Sequence, residues 1–157
     1  MDSIAISLIE QYGLIGLFLA NLLAYTILPF PSEATVIAAS FFFNPIIVIV
    51  VALAGSTIGS IINYYIGKKG VKKLMDKKYK KKKKAKWYKK AKKLFSEYGA
   101  ASILLFGSVP LIGDPLIIVA GSFNMKFWKF IFYLTIGKIL YYIIMISIGK
   151  GFEAILL

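Results

Sequence analysis

Residues 23–43 read LAYTILPFPSEATVIAASFFF, and they decide the fold. An apolar run from Tyr12 to Leu28 stops at Pro29, Pro31, Ser32 and Glu33, then resumes only from Ala34 to Phe43. Proline removes a backbone donor and clashes with the preceding helical turn, so a helix ends there, and the short piece that follows cannot cross a bilayer. The design recurs where Gly99 to Val109 is broken by Pro110, Gly113, Asp114 and Pro115 before Leu116 to Phe123. Two runs are long enough to span: Ile46 to Gly67, 22 residues, and Phe127 to Gly149, 23 residues. At about 1.5 Å per residue each covers roughly 33 Å, one hydrocarbon core. Irregular backbone at membrane depth must be buried in protein or line a wet cavity. The reading is an all-α integral membrane protein with two re-entrant helical hairpins, each followed by a transmembrane helix.

The halves align. A shift of 81 residues places Pro29 on Pro110, Glu33 on Asp114, Ile37 on Ile118, Ala39 on Ala120 and Phe42 on Phe123. Upstream, Tyr12-Gly13 recurs as Tyr98-Gly99, and at the far end Ile66-Gly67-Lys68 recurs as Ile148-Gly149-Lys150. Apolar matches are cheap in this composition, but a proline and a carboxylate at matched spacing are not. A hairpin that returns to its own side plus one span makes one net crossing, so tandem units insert with opposite orientation as an inverted repeat. The expected organisation is a single membrane domain over 1–157, with repeat 1 at 10–67, a polybasic linker at 68–97 and repeat 2 at 98–151. Should Ile4 to Leu28 cross as an ordinary helix instead, the amino terminus moves to the cytoplasm and the symmetry fails. Met1 to Ala5 holds Asp2 and no positive charge, so no cleaved signal is expected there.

Composition agrees with a membrane location: 59% of residues are hydrophobic, 15% aromatic, and mean hydropathy is +0.75. Cysteine and histidine are absent, which removes disulfide frameworks and thiolate or imidazole metal sites; no metal or cofactor is expected. All 20 basic residues are lysine, and 16 of them lie between Lys68 and Lys93, opposed there only by Asp76. Lysine bias places this loop in the cytoplasm of a multi-pass cell-membrane protein, with Lys126 and Lys129 on the same side and both termini outside. Within the loop, Trp87, Ala91, Leu94, Phe95 and Tyr98 share one helical face with lysines opposite. Such a helix is expected to lie on an anionic leaflet, with Lys80, Lys84, Trp87, Lys90 and Phe95 as membrane-surface contacts. Nucleic acid is not expected as a partner, because arginines that read bases are wholly absent.

Glu33, Asp114 and Lys138 are the ionisable groups inside membrane-depth sequence. Isolated at the centre of a span they would cost roughly 8 to 10 kcal/mol together, so they are not expected to face lipid. One reading is structural: Ser32-Glu33 and Asp114-Pro115 both resemble helix starts, with Ser or Asp at the N-cap and proline at the first position. The functional reading uses the same geometry. Half-helices that start within the membrane aim positive ends and free N–H groups at an anionic headgroup, and Ser32 and Gly113 belong to those starts. The carboxylates then take up protons or hold a cation, while Lys138 pairs with a carboxylate or meets phosphate. Ala52, Ala54, Gly55, Ser56, Gly59 and Ser60 read as close helix packing, within one chain or in a homo-oligomer.

The stretch Leu28-Pro29-Phe30-Pro31-Ser32-Glu33 resembles the Pro-Xaa-Pro-Ser-Glu signature of the DedA-like superfamily, also called VTT-domain or SNARE-associated membrane proteins. Pro110-Leu111-Ile112-Gly113-Asp114-Pro115, Ala120-Gly121, Gly137-Lys138 and Tyr141-Tyr142 resemble its YqaA-type branch, over about residues 10 to 151. The resemblance implies re-entrant hairpins in an inverted repeat, and a flippase or scramblase that moves phospholipids or polyprenyl-phosphate carriers, sometimes driven by proton motive force. Many members have arginines near the second re-entrant loop; here Gly107 and Gly113 stand nearby and Lys138 is the remaining intramembrane cation. The alternatives are a small proton- or ion-coupled transporter and, more remotely, an intramembrane aspartyl protease with Glu33 and Asp114 sharing a proton. No catalytic residue is expected.

Overall fold

The computed structural model describes residues 2–25, 32–69, 82–109 and 112–156. Seven helices are seen among them: α1 Asp2–Ala24, α2 Ser32–Phe42, α3 Pro45–Lys68, α4 Lys82–Tyr98, α5 Ala100–Phe106, α6 Gly113–Ser122 and α7 Phe127–Leu156. Pro29, Pro31 and Pro110 lie outside the described residues, while Pro115 sits buried in the first turn of α6. α3 and the first 25 residues of α7 are long and apolar enough to cross a membrane. Only 33% and 28% of their most apolar windows are buried within the protein. A soluble core helix would hide such residues, whereas these leave Ile46, Val50, Phe132, Leu140 and Ile144 outward, which hydrocarbon accommodates. The chain is an all-helical membrane protein.

Local chemistry sets the boundaries. The Asn44 side-chain oxygen accepts the Ile46 amide at 2.9 Å with Pro45 opening the helix, a capped start for α3. Polar residues on the short helices need no water: Thr35 bonds the Ser32 carbonyl, Ser40 that of Ile37, Ser102 that of Gly99 and Ser122 that of Val119. α1 bends at Gly13, with φ 55° and ψ −127°, and Gly99 joins α4 to α5 with φ 54° and ψ −130°. A side chain at either position would meet the left-handed steric barrier, which explains why the repeated Tyr-Gly pair ends in glycine.

The chain divides into two compact units, one of residues 1–59 with 139–157, the other of residues 60–138. Each long helix therefore gives one half to each unit. The first unit buries Leu17, Val36, Ala39, Val48, Ala52, Tyr142 and Ile146. In it Gly55 of α3 rests on the Phe18 carbonyl and Gly149 of α7 on the Ile37 side chain. The second unit buries Tyr64, Ile103, Leu116, Ile117, Val119, Phe130 and Leu134, with Tyr64 stacked on Phe130 at 4.5 Å. Here Gly137 of α7 rests on the Leu104 carbonyl and Gly67 of α3 on the Ile118 carbonyl. A methyl at Gly55, Gly137 or Gly67 would overlap those oxygens, so α3 and α7 approach the short helices at backbone distance. The Gly55 and Gly59 contacts fall within one chain, where the sequence left their partner open.

α4 is amphipathic. Its apolar face packs on the protein: Ala91 is buried, and Tyr88, Leu94 and Phe95 are half-buried against the second core, with the Phe95 and Phe123 rings 5.4 Å apart. The end of α6 offers an apolar surface that covers part of this face, and Phe95 is left half-buried there. Lys80 lies outside the described residues, as do the side chains of Lys84 and Trp87. Lys86, Lys89, Lys90, Lys92 and Lys93 are exposed on the other side.

Candidate functional site

In the second unit α3, α6 and α7 bring four polar side chains together. Gly137 admits α5 so closely that the next residue, Lys138, is fully buried, and its ammonium donates to the Ser60 hydroxyl at 2.9 Å. One helical turn along α3, Asn63 donates its amide to an Asp114 carboxylate oxygen at 3.1 Å. Ser60 and Asn63, three residues apart, share one face of α3 and are completely buried. Asp114 is half-buried in the first turn of α6. Lys138 of α7 and Asp114 of α6 are thus each held by a residue on one face of α3, with Asp114 at the positive end of its own helix.

Asp114 is not the N-cap that its Asp-Pro pair suggests. α6 starts two residues earlier than that pair implies, at Gly113 instead of Pro115, because the Gly113 amide bonds the Val109 carbonyl at 2.8 Å; Ile112 holds the N-cap position without a side-chain cap. The Asp114 side chain points to Asn63 rather than to its own helix end. Gly113 is buried against the Gly107 carbonyl, and the neighbouring Ser108 is 5% exposed, with no hydrogen-bond partner for its hydroxyl among the described residues. A buried hydroxyl without a protein acceptor is costly unless water or ligand reaches it.

The first unit holds Glu33. It lies half-buried in the first turn of α2, and the Tyr141 hydroxyl donates to it at 3.2 Å; Ser32 beside it is buried. Tyr142, 1% exposed, donates to Asn21 at 3.3 Å and also meets Ser56 and Tyr25. The adjacent tyrosines of α7 thereby reach both α1 and α2. In the register that pairs Gly67 with Gly149, Ser56 falls on Lys138 and Ser60 on Tyr142. The contacts Lys138–Ser60 and Tyr142–Ser56 therefore use the same two positions with the roles of α3 and α7 exchanged. One member of this matched pair carries a charge and the other is neutral.

Of the residues singled out in the sequence, Asp114, Gly113, Pro115 and Lys138 gather in the second unit, and Ser32 and Glu33 stand in the first. Asn21, Ser60, Asn63 and the hydrogen-bonding roles of Tyr141 and Tyr142 were not foreseen. Asn63 carried a usable signal, an amide inside a span, whereas Ser60 reads as packing until its partner is known. Outside the spans, burial raises the Tyr88 phenol above its usual pKa, and a hydrogen bond with Ser122 opposes that shift.

Comparison with known proteins agrees with this architecture. The VTT domain matches residues 30–151. The chain is 29% identical to the inner membrane protein YqaA of Escherichia coli over 136 residues, covering 85% of this chain and 89% of that protein. It is 28% identical to the uncharacterized membrane protein YbfM of Bacillus subtilis, covering 91% and 92%. A Lactococcus lactis protein named alkaline phosphatase-like is also 28% identical, covering 96% of this chain and 76% of its own length. No solved structure matches the chain. With the matched domain running from the first proline break to the end of the last span, the chain belongs to the VTT-domain family, the DedA-like superfamily of membrane proteins.

Proposed function

We propose that the protein moves lipids or lipid-linked carriers across the bilayer, as a flippase or scramblase. The fully buried Lys138, facing Asp114 at the start of α6, is the observation that carries this reading. A charge at that depth is retained only where it has a partner or a ligand, and Ser108 adds a buried hydroxyl without an acceptor among the described residues. A headgroup with negative charge fits the ammonium, and its tails fit the outward apolar surface of α3 and α7. Glu33 with Tyr141 supplies a second, uncharged-partner station.

The arrangement proposed is an inverted repeat of two re-entrant hairpins, with the polybasic segment cytoplasmic. Three matched features support it: the Gly13 and Gly99 bends, the Gly55–Phe18 and Gly137–Leu104 contacts, and the exchange of roles between Ser56–Tyr142 and Ser60–Lys138. The two short helices α2 and α6 are 11 and 10 residues long, too short to span.

A proton- or ion-coupled exchanger would use the same carboxylates. Lipid movement by purified protein in vesicles, measured with and without a pH gradient, separates the two: lipid movement supports the first reading, and proton flux without lipid movement replaces it. The phosphatase-like name of the Lactococcus relative is that protein's own, and this chain contains no histidine or cysteine.

A further inference from the structure

The exposed lysines of α4 stand opposite the residues that hold it to the protein. Lys86, Lys89, Lys90, Lys92 and Lys93 face outward, while Tyr88, Ala91, Leu94 and Phe95 face inward. The inward contacts are with the end of α6: Phe95 meets Phe123, and the Tyr88 hydroxyl hydrogen-bonds with Ser122. The opposite end of α6 carries Asp114, about 12 Å away at 1.5 Å per residue.

The same end of this unit is where the spans emerge. Gly121 rests on the Tyr64 carbonyl, and the Tyr64 hydroxyl bonds the Met125 carbonyl, so the last turn of α3 and the first turn of α7 meet the end of α6. These turns carry the exposed Lys68, Lys126 and Lys129, with Trp128 81% exposed among them. An exposed indole between lysines at the start of a span is the chemistry of a membrane–water interface. The lysines of α4 thus lie where headgroups lie, which favours a lipid surface over an acidic protein or a nucleic acid as their partner.

We propose that α4 senses acidic lipids: their headgroups bind the Lys86–Lys93 face, and the packing of α4 on α6 transmits that binding to the Asp114 end of α6. The lipid-moving reading above gives this coupling its purpose, but the coupling itself is a property of α4 and α6. Anionic lipid content of the adjoining leaflet then sets the state of the site. The attraction is screened by salt over a Debye length of about 8 Å.

The test uses the full chain, which contains no cysteine. Ile112→Cys, half-buried just before Asp114, is purified and placed in nanodiscs of phosphatidylcholine with or without phosphatidylglycerol. Its reaction rate with an uncharged maleimide should change by about fivefold or more between the two compositions, the size of an ordinary coupling between sites. The same rate in both compositions should be seen when Lys86, Lys89, Lys90, Lys92 and Lys93 are all changed to glutamine. A native-lysine chain indifferent to composition, or a glutamine variant with the native dependence, overturns the proposal. The readout does not involve transport, so labelling that responds in a protein that moves no lipid would count against the lipid-moving reading alone.

Discussion

Replacing Lys138 by methionine tests the pairing at the centre of the second unit. Methionine fills nearly the same volume, so the loss is electrostatic: Asp114 keeps its bond from Asn63 but loses its cation, and Ser60 loses a donor. Breaking a fully buried pair costs about 3 to 5 kcal/mol. Asp114 is only half-buried, so part of its charge stays solvated, and about 2 to 3 kcal/mol is the expected cost here. Unfolding in mixed micelles with increasing dodecyl sulfate measures it, and a cycle with Asp114→Asn isolates the pair. The double variant should recover about 1 to 2 kcal/mol relative to the sum of the single changes. Additive costs, or a Lys138→Met variant within about 0.5 kcal/mol of the native chain, would show that Lys138 does not answer Asp114.

Further outcomes follow from the packing and the lysine bias. Gly137→Ala should destabilise by about 1 to 3 kcal/mol, because the added methyl overlaps the Leu104 carbonyl; an unchanged unfolding midpoint contradicts the backbone-distance packing. Phe95→Ala should cost about 1 to 2 kcal/mol of stability, since the ring packs half-buried on Phe123; a stability unchanged while vesicle binding falls would mean that the ring serves the membrane surface instead. Single cysteines at Ser3, Ser96 and Leu157, treated with an impermeant reagent in intact cells, should label at both termini and not at Ser96. Labelling at Ser96 alone reverses the proposed orientation.

The long helices were legible because an apolar run has a length: α3 extends the run from Ile46 to Gly67 by one residue at each end, and α7 begins with its run at Phe127 and continues past Gly149 to Leu156. The bends at Gly13 and Gly99 were visible as a repeated Tyr-Gly pair, although not their shared left-handed geometry. Periodicity found the apolar face of α4 but could not name what covers it, since Phe123 is distant in sequence and competes with lipid only after folding. The start of α6 moved from Pro115 to Gly113 because a backbone bond to Val109 outweighs the Asp-Pro signal. Glu33, Asp114 and Lys138 stood out by the cost of a charge at depth. Their partners Tyr141, Asn63 and Ser60 did not, because which side of a helix meets which neighbour depends on rotations that no residue type encodes.

Lipid movement by the purified chain in vesicles, compared with Glu33→Gln and Asp114→Asn, tests the central claim most directly. Both substitutions keep shape and hydrogen bonding to Tyr141 or Asn63 while removing negative charge. Each variant should insert and fold yet lose most lipid movement, with the double variant little worse than either one if the residues act as a unit. Native rates from both variants would contradict the account, leaving these carboxylates as parts of helix starts and the path of the lipid elsewhere.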